Sequence, residues 1–370
     1  MRNRMIRGLM LGMTLLCEVA RAGLLDESPV GWASTSGGVT GGQGGTVQEV
    51  STLADLQRLA KEPGKQVLLV RGRLGDGRSR VEITSDKTVF GLPGAVLAGG
   101  LDIKSGTANV IVRNLKVEGP GAVDVNGVDG VTVQGGERIW LDHLDISDGE
   151  DGNMDITNGA DLVTVSWCKF SYTSKSQNHQ FSNLIGSSDT RTADRGKLRV
   201  TLHHNWWTDG VKERMPRVRF GQVHVANNLF TSSVASHCVR AGIEADLLVE
   251  GNAFIGVQKP IDLFENNFKA MTVRDNIFTN VSGNTAGQGI SFQSPYALAL
   301  DAARDVESKV KGEAQGSHGA GATLPDPQLP TALAPTREGG RAVRAGLWHG
   351  SGMHLTPEML LGRQYRAPVR

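Results

Sequence analysis

The 370-residue sequence predicts an all-β protein built as a solenoid of stacked β-coils, with a short N-terminal helix and an irregular C-terminal tail. Two observations predict this class. An Asn-x-aromatic triplet returns at a near-constant interval between residues 205 and 278, and brief β-branched runs fill the intervals. The composition agrees, because 48 glycines and only 5% aromatic residues suit many short strands with tight turns better than a helical bundle.

The repeat defines the phase of the coils. Successive triplets are 23, 24 and 24 residues apart; they begin at Asn205, Asn228, Asn252 and Asn276 and end at Trp207, Phe230, Phe254 and Phe278. Upstream, residues 143–146 and 167–170 hold similar places, 24 apart, and Asn114 precedes them by 29. One coil cannot bury its apolar face alone, so stacked coils share a core. We therefore expect an asparagine ladder that bonds turn backbone and an aromatic ladder inside.

Residues 1–22 have the pattern of a secretory signal. Three arginines precede a short apolar run at 8–17, and Ala20-Arg21-Ala22 fits an A-x-A cleavage site. The apolar run of about ten residues is too short to span a membrane. The sequence therefore predicts a secreted protein.

The coil domain is predicted to span residues 23–322. A Gly-rich stretch at 37–45 leads to a short helix in which Leu53, Leu56 and Leu59 recur every three residues. From Val67 onward the runs are strand-like and bounded by Gly, Asn or Asp, and no long amphipathic helix separates them, which argues against a doubly wound α/β sheet. Residues 323–370, rich in Pro, Gly, Ala and Arg, are expected to be a disordered or loosely attached tail without a catalytic role.

The net charge of +1 provides no global field to recruit nucleic acid or an anionic membrane. Affinity for an acidic ligand must therefore come from a local patch, and we expect a monomer with neither nucleic-acid nor membrane partners. Signal cleavage would leave Cys168 and Cys238, which could pair in an oxidising compartment. Two cysteines are also what chance would leave, so the sequence leaves this disulfide open.

Carboxylates concentrate between residues 124 and 161. Asp151 and Asp155 stand in DGNMDI among small or polar residues, and Asp129 precedes them. Three converging carboxylates suit a hard cation such as calcium, which takes six to eight oxygen ligands. The stretch lacks the twelve-residue ligand spacing of an EF-hand, and solvated turn aspartates are the alternative reading.

A basic cluster follows in VKERMPRVRFG at 211–221, which holds Lys212, Arg214, Arg217 and Arg219. Alternate strand residues point the same way, so Arg217 and Arg219 should share a face and form a preorganised carboxylate-binding fork. A solvated basic strand edge is the alternative. Nucleic-acid binding is disfavoured because stacking aromatics are not interleaved with these arginines.

Five ordered motifs resemble one family: RIWLDHLDIS at 138–147, DGNMDITNGADLVTVSW at 151–167, LIGSSD at 184–189, GKLRVTLHHN at 196–205 and RMPRVRFGQVHVANNLF at 214–230. The series resembles the pectate lyases of polysaccharide lyase family 1, over about residues 30–322. This resemblance implies a right-handed parallel β-helix with a substrate groove on one face.

The resemblance also implies roles for individual residues. Asp129, Asp151 and Asp155 match the family's calcium ligands. Arg214 matches the proton-abstracting arginine, and Arg219 matches the arginine that grips a substrate carboxylate. Trp140, Asp142 and His143 match a stretch that we interpret as structural.

One position departs from the family pattern. A substrate-binding lysine is expected three residues before the LIG leucine, where this sequence has Phe181. Lys175 or Lys212 could supply the missing charge, and Lys212 is assigned with Arg219 to substrate binding. Adjacent His203 and His204 would face opposite sides of a strand, so we interpret them as structural rather than as ligands of one metal.

The activity that the resemblance implies is calcium-dependent cleavage of polygalacturonate by β-elimination. An arginine base has a free pKa of roughly 12.5–13.8, so an alkaline optimum is expected. Three alternatives stay open: a calcium-independent pectin lyase, a hydrolytic polygalacturonase with paired carboxylates, and a non-catalytic β-helix adhesin or glycan-binding protein. The aspartate trio disfavours the first of these, because a neutral ester needs no metal bridge.

Overall fold

The computed structural model describes residues 27–123, 127, 129–313, 319–321 and 323–324, which lie in one compact unit. Within these residues, twenty-five short strands wind into a parallel β-helix, and every pair between them is parallel. The predicted all-β parallel β-helix is therefore confirmed.

The first strands in chain order are β1 (Thr46–Val50), β2 (Gln66–Val70), β3 (Arg73–Ile83), β4 (Lys87–Gly91), β5 (Val96–Ile103), β6 (Ala108–Arg113), β7 (Lys116–Glu118), β8 (Val131–Gln134), β9 (Glu137–Asp142), β10 (Asp145–Ser147), β11 (Met154–Thr157) and β12 (Asp161–Ser166). The later strands are β13 (Lys169–Ser171), β14 (Asn183–Ile185), β15 (Val200–His203), β16 (Trp206–Trp207), β17 (Arg217–Val218), β18 (Gln222–Ala226), β19 (Leu229–Phe230), β20 (Val239–Ala241), β21 (Asp246–Glu250), β22 (Ala253–Ile255), β23 (Ile261–Leu263), β24 (Ala270–Arg274) and β25 (Ile277–Thr279).

The strands form three faces. Face 1 is the ten-stranded sheet β1-β2-β4-β6-β9-β12-β15-β18-β21-β24. Face 2 is the series β7-β10-β13-β16-β19-β22-β25, and face 3 is the series β8-β11-β14-β17-β20-β23. The strand β5, itself paired with β3, joins faces 2 and 3 because it pairs with both β7 and β8. A complete coil therefore contributes one strand to each face.

The predicted asparagine ladder runs along the turn between faces 1 and 2. The backbone N of Asn205 donates to Asn228 Oδ1 at 2.9 Å, and the backbone N of Asn228 donates to Asn252 Oδ1 at 2.8 Å. Asn252 makes the same bond to Asn276 at 2.8 Å. Each amide group of these asparagines also bonds main chain, as when Asn228 Nδ2 donates to Leu202 O at 2.9 Å. Buried turn backbone is satisfied in this way, coil after coil.

The aromatic ladder lies inside the helix. Ring centroids of successive members are 4.3–5.4 Å apart with interplanar angles of 20° or less, in the order Phe170, Trp207, Phe230, Phe254 and Phe278. The first four rings are fully buried. Offset ring stacking adds to the burial of apolar area, so this ladder strengthens the contact between coils.

The two α-helices of the described residues are short. The helix α1 (Leu53–Leu59) begins at Thr52, whose side chain accepts the Asp55 N–H, and it buries Leu56 and Leu59 against the first coils, as the leucine spacing predicts. The helix α2 (Val306–Val310) buries Val306 and Val310 against Leu229 of face 2. At the far end of the stack, the Met271 backbone of β24 pairs antiparallel with Gln288.

Cys168 and Cys238 are both buried and free, so they form no disulfide with one another. Cys168 lies at the turn between faces 1 and 2, where its N–H donates to Asn205 Oδ1 at 2.9 Å, whereas Cys238 directly precedes β20 of face 3. Burial raises the pKa of both thiols. Neither side chain therefore has the character of a reactive thiolate.

The residues interpreted as structural are satisfied within face 1. Asp142 accepts hydrogen bonds from Arg113 Nε at 2.8 Å and Ser166 Oγ at 2.5 Å, and it contacts His143 Nδ1 at 2.7 Å. Burial alone would raise the pKa of Asp142, but His143 and Arg113 outweigh it and hold the pKa at about 2. Trp140 Nε1 donates to Ser166 Oγ at 2.9 Å.

The described C-terminal residues return along the outside of the helix. Leu324 is buried, and its N–H donates to Asn114 Oδ1 at 2.6 Å. The predicted signal at 1–22 and the rest of the predicted tail, from residue 325, lie outside the described residues. These two boundaries therefore stay predictions.

Candidate active site

Face 3 presents one row of outward side chains in which aspartates come first, two arginines follow, and Asp262 pairs with Arg240 at the end. Strand register aligns Asp102, Thr132, Asp155, Leu184, Arg217, Arg240 and Asp262. The row faces outward because its neighbours along each strand, such as Met154 and Ile156, are buried in the core. Acidic side chains thus lie on coils that adjoin coils bearing arginines.

Asp129 and Asp155 form a carboxylate pair at the acidic part of this row. Asp129 precedes β8 and Asp155 lies in β11, the next strand of face 3. A Cβ built on Gly152 would lie 3.0 Å from Asp129 Oδ1 and 3.3 Å from Asp155 Oδ1. Both oxygens therefore border one small space that only glycine leaves open.

The two carboxyl groups are held in place but incompletely neutralised. Thr132 Oγ1 donates to Asp129 Oδ2 at 3.0 Å, while Asp129 Oδ1 is buried and has no hydrogen-bond partner in the described part of the chain. Burial, and then the charge of Asp151, raise the pKa of Asp129 to about 7. Burial and the neighbouring Asp129 raise the pKa of Asp155 well above its ordinary value, although Leu184 N donates to its Oδ1 at 3.1 Å. Two such groups favour a bound cation.

Asp151 lies at the rim rather than inside the pair. Its side chain is 42% exposed, and its Oδ1 lies 3.2 Å from His179 Nε2. Among the described residues, no group of three His, Cys, Asp or Glu side chains is already arranged to hold a metal. The structure thus brings two of the three predicted ligands together and places the third beside His179. Burial, followed by the charge of Arg214, lowers the pKa of His179.

Arg214 reaches the carboxylate pair from the basic side. Arg214 has a φ of 61°, and its backbone carbonyl accepts a hydrogen bond from the Asn183 N–H of β14 at 2.6 Å. The guanidinium lies over the Phe181 ring, 4.7 Å from the centroid, and makes no ion pair or hydrogen bond with a side chain in the described residues. Its positive charge acts on both carboxyls and lowers the pKa of Asp129 and Asp155 against the larger effect of burial.

The other arginines differ in how they are held. Arg219 is 8% exposed, donates from Nη1 to Gly186 O at 2.8 Å and pairs with Asp189. Arg217 Nε is buried and finds no hydrogen-bond partner among the residues that the structure describes. Burial, and then the charges of Arg219 and other guanidiniums, lower the pKa of Arg217. Val218 between them is buried, so both point outward as the strand alternation predicts. Lys212 is half-buried, and its backbone N donates to Gln180 O at 2.8 Å.

Two residues of the site carry no sequence signal of their own. Gly152 is one of many glycines, and only its place between Asp151 and Asp155 indicates that it belongs to the site. His179 stands in the segment opposite Arg214, and its contact with Asp151 depends on how two coils stack. His203 and His204 are predicted to face opposite sides of a strand, but their Nδ1 atoms lie 2.9 Å apart, because His204 follows β15 with a φ of 56°.

The fold and the site define the class: a parallel β-helix polysaccharide lyase with a carboxylate pair and arginines on one face. The pectate lyase family model matches residues 3–303. The chain is 32% identical over 292 residues to pectate lyase plyB of Emericella nidulans, covering 76% of this chain and 86% of that protein. It is 35% identical over 237 residues to a pectate trisaccharide-lyase of Thermotoga maritima, covering 60% and 62%. The chain belongs to the pectate lyase family.

Solved structures share this fold. A pectate lyase variant from Xanthomonas campestris has a TM-score of 0.65 at 24% identity, over 80% of this chain and 100% of that one. A Bacillus pectate lyase in complex with trigalacturonate has a TM-score of 0.63 at 24% identity, over the same shares. No helix among the described residues is long and apolar enough to cross a bilayer.

Proposed function

We propose that this pectate lyase is a secreted, calcium-dependent enzyme that cleaves (1→4)-α-D-galacturonan by β-elimination, with Arg214 as the base. One observation carries the proposal: among the described residues, a buried carboxylate pair whose Asp129 Oδ1 has no hydrogen-bond partner feels the charge of Arg214, whose guanidinium makes no ion pair with an acid there. The relative solved with trigalacturonate supports galacturonan as the substrate class. The signal-like residues 1–22 support secretion.

The residues present fit a calcium ion. Calcium prefers carboxylate oxygens, and Asp129 Oδ1 is a buried oxygen that no described residue hydrogen-bonds, beside the space that Gly152 leaves open. Asp129 and Asp155 would hold the ion, with Asp151 as the third carboxylate at the rim. Calcium bound there would stabilise the negative charge that develops on a substrate carboxylate during proton abstraction.

The arginines would do the remaining chemistry. Arg214 takes the proton from C5 of a galacturonate ring, the C5–H electrons form the C4–C5 double bond, and the C4–O bond breaks with its electrons on the leaving oxygen. A neutral guanidine is needed for this step, so activity should rise toward alkaline pH. Arg219, with its guanidinium fixed by Asp189 and Gly186, would orient a substrate carboxylate, and Lys212 would assist it.

Arg214→Lys tests the assigned base, with Asp155→Asn as the matched variant on the metal side. We expect Arg214→Lys to retain calcium binding but lose unsaturated-product formation from polygalacturonate by at least about a thousandfold, within the range of general-base contributions. Asp155→Asn should weaken calcium binding itself, measured by titration calorimetry. An active Arg214→Lys enzyme would show that Arg214 is not the base. Full activity in the presence of a chelator would show that the enzyme does not need calcium.

A further inference from the structure

The segment 176–182 forms one wall beside the carboxylate pair, and it carries no lysine or arginine. Asp151 Oδ1 contacts His179 Nε2 at 3.2 Å, the His179 and Phe181 rings are 4.1 Å apart, and the Phe181 ring lies beneath the Arg214 guanidinium at 4.7 Å. These contacts form an unbroken line from the rim carboxylate to the assigned base. The side chain at the centre of this line is a phenyl ring.

Phe181 is fixed close to the space where the cation is proposed to bind. Its carbonyl lies 3.6 Å from the Cβ position of Gly152 and accepts the Tyr172 hydroxyl at 2.6 Å. Its backbone also bridges to Glu213 on the next coil. The residue is half-buried, and its ring packs on His179 and Arg214. A rigid apolar surface therefore borders the reacting position.

The rim nearby adds apolar surface. Val123 is 52% exposed, and its carbonyl accepts a hydrogen bond from Asn178 Nδ2 at 3.0 Å. The preceding lysine in sequence, Lys175, lies against Gly121 and is exposed, and Lys212 meets the segment through its backbone N, which donates to Gln180 O at 2.8 Å. The wall that begins at residue 176 therefore offers a sugar ring apolar contact and neutral hydrogen-bonding groups.

We propose that Phe181 gives an uncharged wall to the subsite next to the one at the cation, so that the enzyme accepts a methyl-esterified galacturonate in that neighbouring subsite. A free carboxylate pressed against a phenyl ring loses hydration without gaining a charged partner from that side chain, which is costly. A methyl ester in the same place has no charge to desolvate and buries its methyl group. This inference rests on the proposed function, because the uronate at the cation must keep its free carboxylate while its neighbour carries the ester.

The test compares wild type, Phe181→Lys and Phe181→Leu on polygalacturonate and on pectins of graded methyl-esterification. The readout is the ratio of kcat/KM on partially esterified pectin to kcat/KM on polygalacturonate, followed by unsaturated-product absorbance with calcium present. We expect a wild-type ratio of at least about one. Phe181→Lys should lower the ratio by roughly tenfold to a hundredfold, since lysine forms a charge-assisted bond only with the free carboxylate.

Phe181→Leu separates neutrality from ring stacking. Leucine is neutral but cannot stack on Arg214, so turnover should fall on both substrates while their ratio stays within about twofold of wild type. Mass spectrometry of wild-type products gives a second measurement that needs no variant. Methyl esters should be enriched, relative to the starting pectin, at the residue on one side of the cleaved bond.

The outcomes distinguish this inference from the proposed function. A wild-type enzyme that cleaves only polygalacturonate, or a Phe181→Lys ratio equal to that of wild type, overturns the inference and leaves the proposed function standing. Absence of unsaturated product from every substrate refutes both. Thermal unfolding and calcium titration of each variant show that the fold and the cation site are retained.

Discussion

Gly152→Ala should weaken calcium binding strongly without unfolding the protein. The added methyl group would lie 3.0 Å from Asp129 Oδ1 and 3.3 Å from Asp155 Oδ1, and its next neighbour is Phe181 O at 3.6 Å. Gly152 is not among the glycines with positive φ, so alanine meets no backbone strain there. The substitution therefore acts on the two carboxylates and on little else.

The magnitude follows from these distances. Contacts of 3.0–3.4 Å force a neighbour to give way by a few tenths of an ångström. Calcium–oxygen distances are about 2.3–2.6 Å and tolerate shifts of about 0.2 Å, so both ligands would leave their binding geometry. We expect calcium affinity to fall at least about a hundredfold, or about 2.8 kcal/mol at 1.4 kcal/mol per tenfold. The free energy of unfolding without calcium should change by no more than about 1 kcal/mol.

Calorimetric calcium titration and denaturant unfolding without calcium measure the two quantities. Gly242→Ala is the matched control: its Cβ would also approach a neighbour at 3.0 Å, but that neighbour is Val218 O, and no carboxylate lies within reach. Gly242→Ala should bind calcium as wild type does. Wild-type calcium affinity in Gly152→Ala would refute the assignment of the cation to this space.

Three further predictions concern titration and the ladders. Without calcium, the thermal midpoint of unfolding should rise as pH falls from 8 to 6. Folding raises the pKa of Asp129 from its ordinary 3.8 to about 7, so the folded state binds more protons than the unfolded state over this interval. Asp129→Asn should flatten this dependence. Calcium affinity should fall over the same pH interval, measured by calorimetry, because the cation competes with that proton. Asn228→Ala should lower the free energy of unfolding by about 3 kcal/mol in denaturant titration. The reason is that it removes the hydrogen bonds that Asn228 makes to the buried Asn205 N–H and the Leu202 carbonyl. A loss below about 1 kcal/mol would contradict the stabilising role of the asparagine ladder.

The coil architecture was predictable because stacking imposes its period on the sequence. The asparagines and aromatic residues at 23–24-residue spacing recur since each must meet its equivalent on the next coil. The cysteines were not decidable by the same reasoning. Cys168 has the phase of Asn205, but Cys238 has no repeat to define its place, and only the winding of the chain puts the two at different corners.

The candidate site was predictable in residue type more than in geometry. Acidic and basic clusters mark Asp155 and Arg214, yet the meeting of Asp129 with Asp155 depends on the register that aligns Thr132 with Asp155. Sequence spacing alone cannot specify that register, because the chain between these residues forms a whole coil. The contact of Asp151 with His179 likewise depends on a long connection between β13 and β14.

The covering at each end of the stack has a consequence for self-association. A bare terminal coil presents unpaired backbone and open apolar surface, and a second molecule could continue it into a fibre. Here α1 closes the first coils with Leu56 and Leu59, while the antiparallel bridge from Gln288 to Met271 occupies backbone of the last strand of face 1. These coverings oppose end-to-end association of the coils, so the groove on face 3 stays open to a polysaccharide chain.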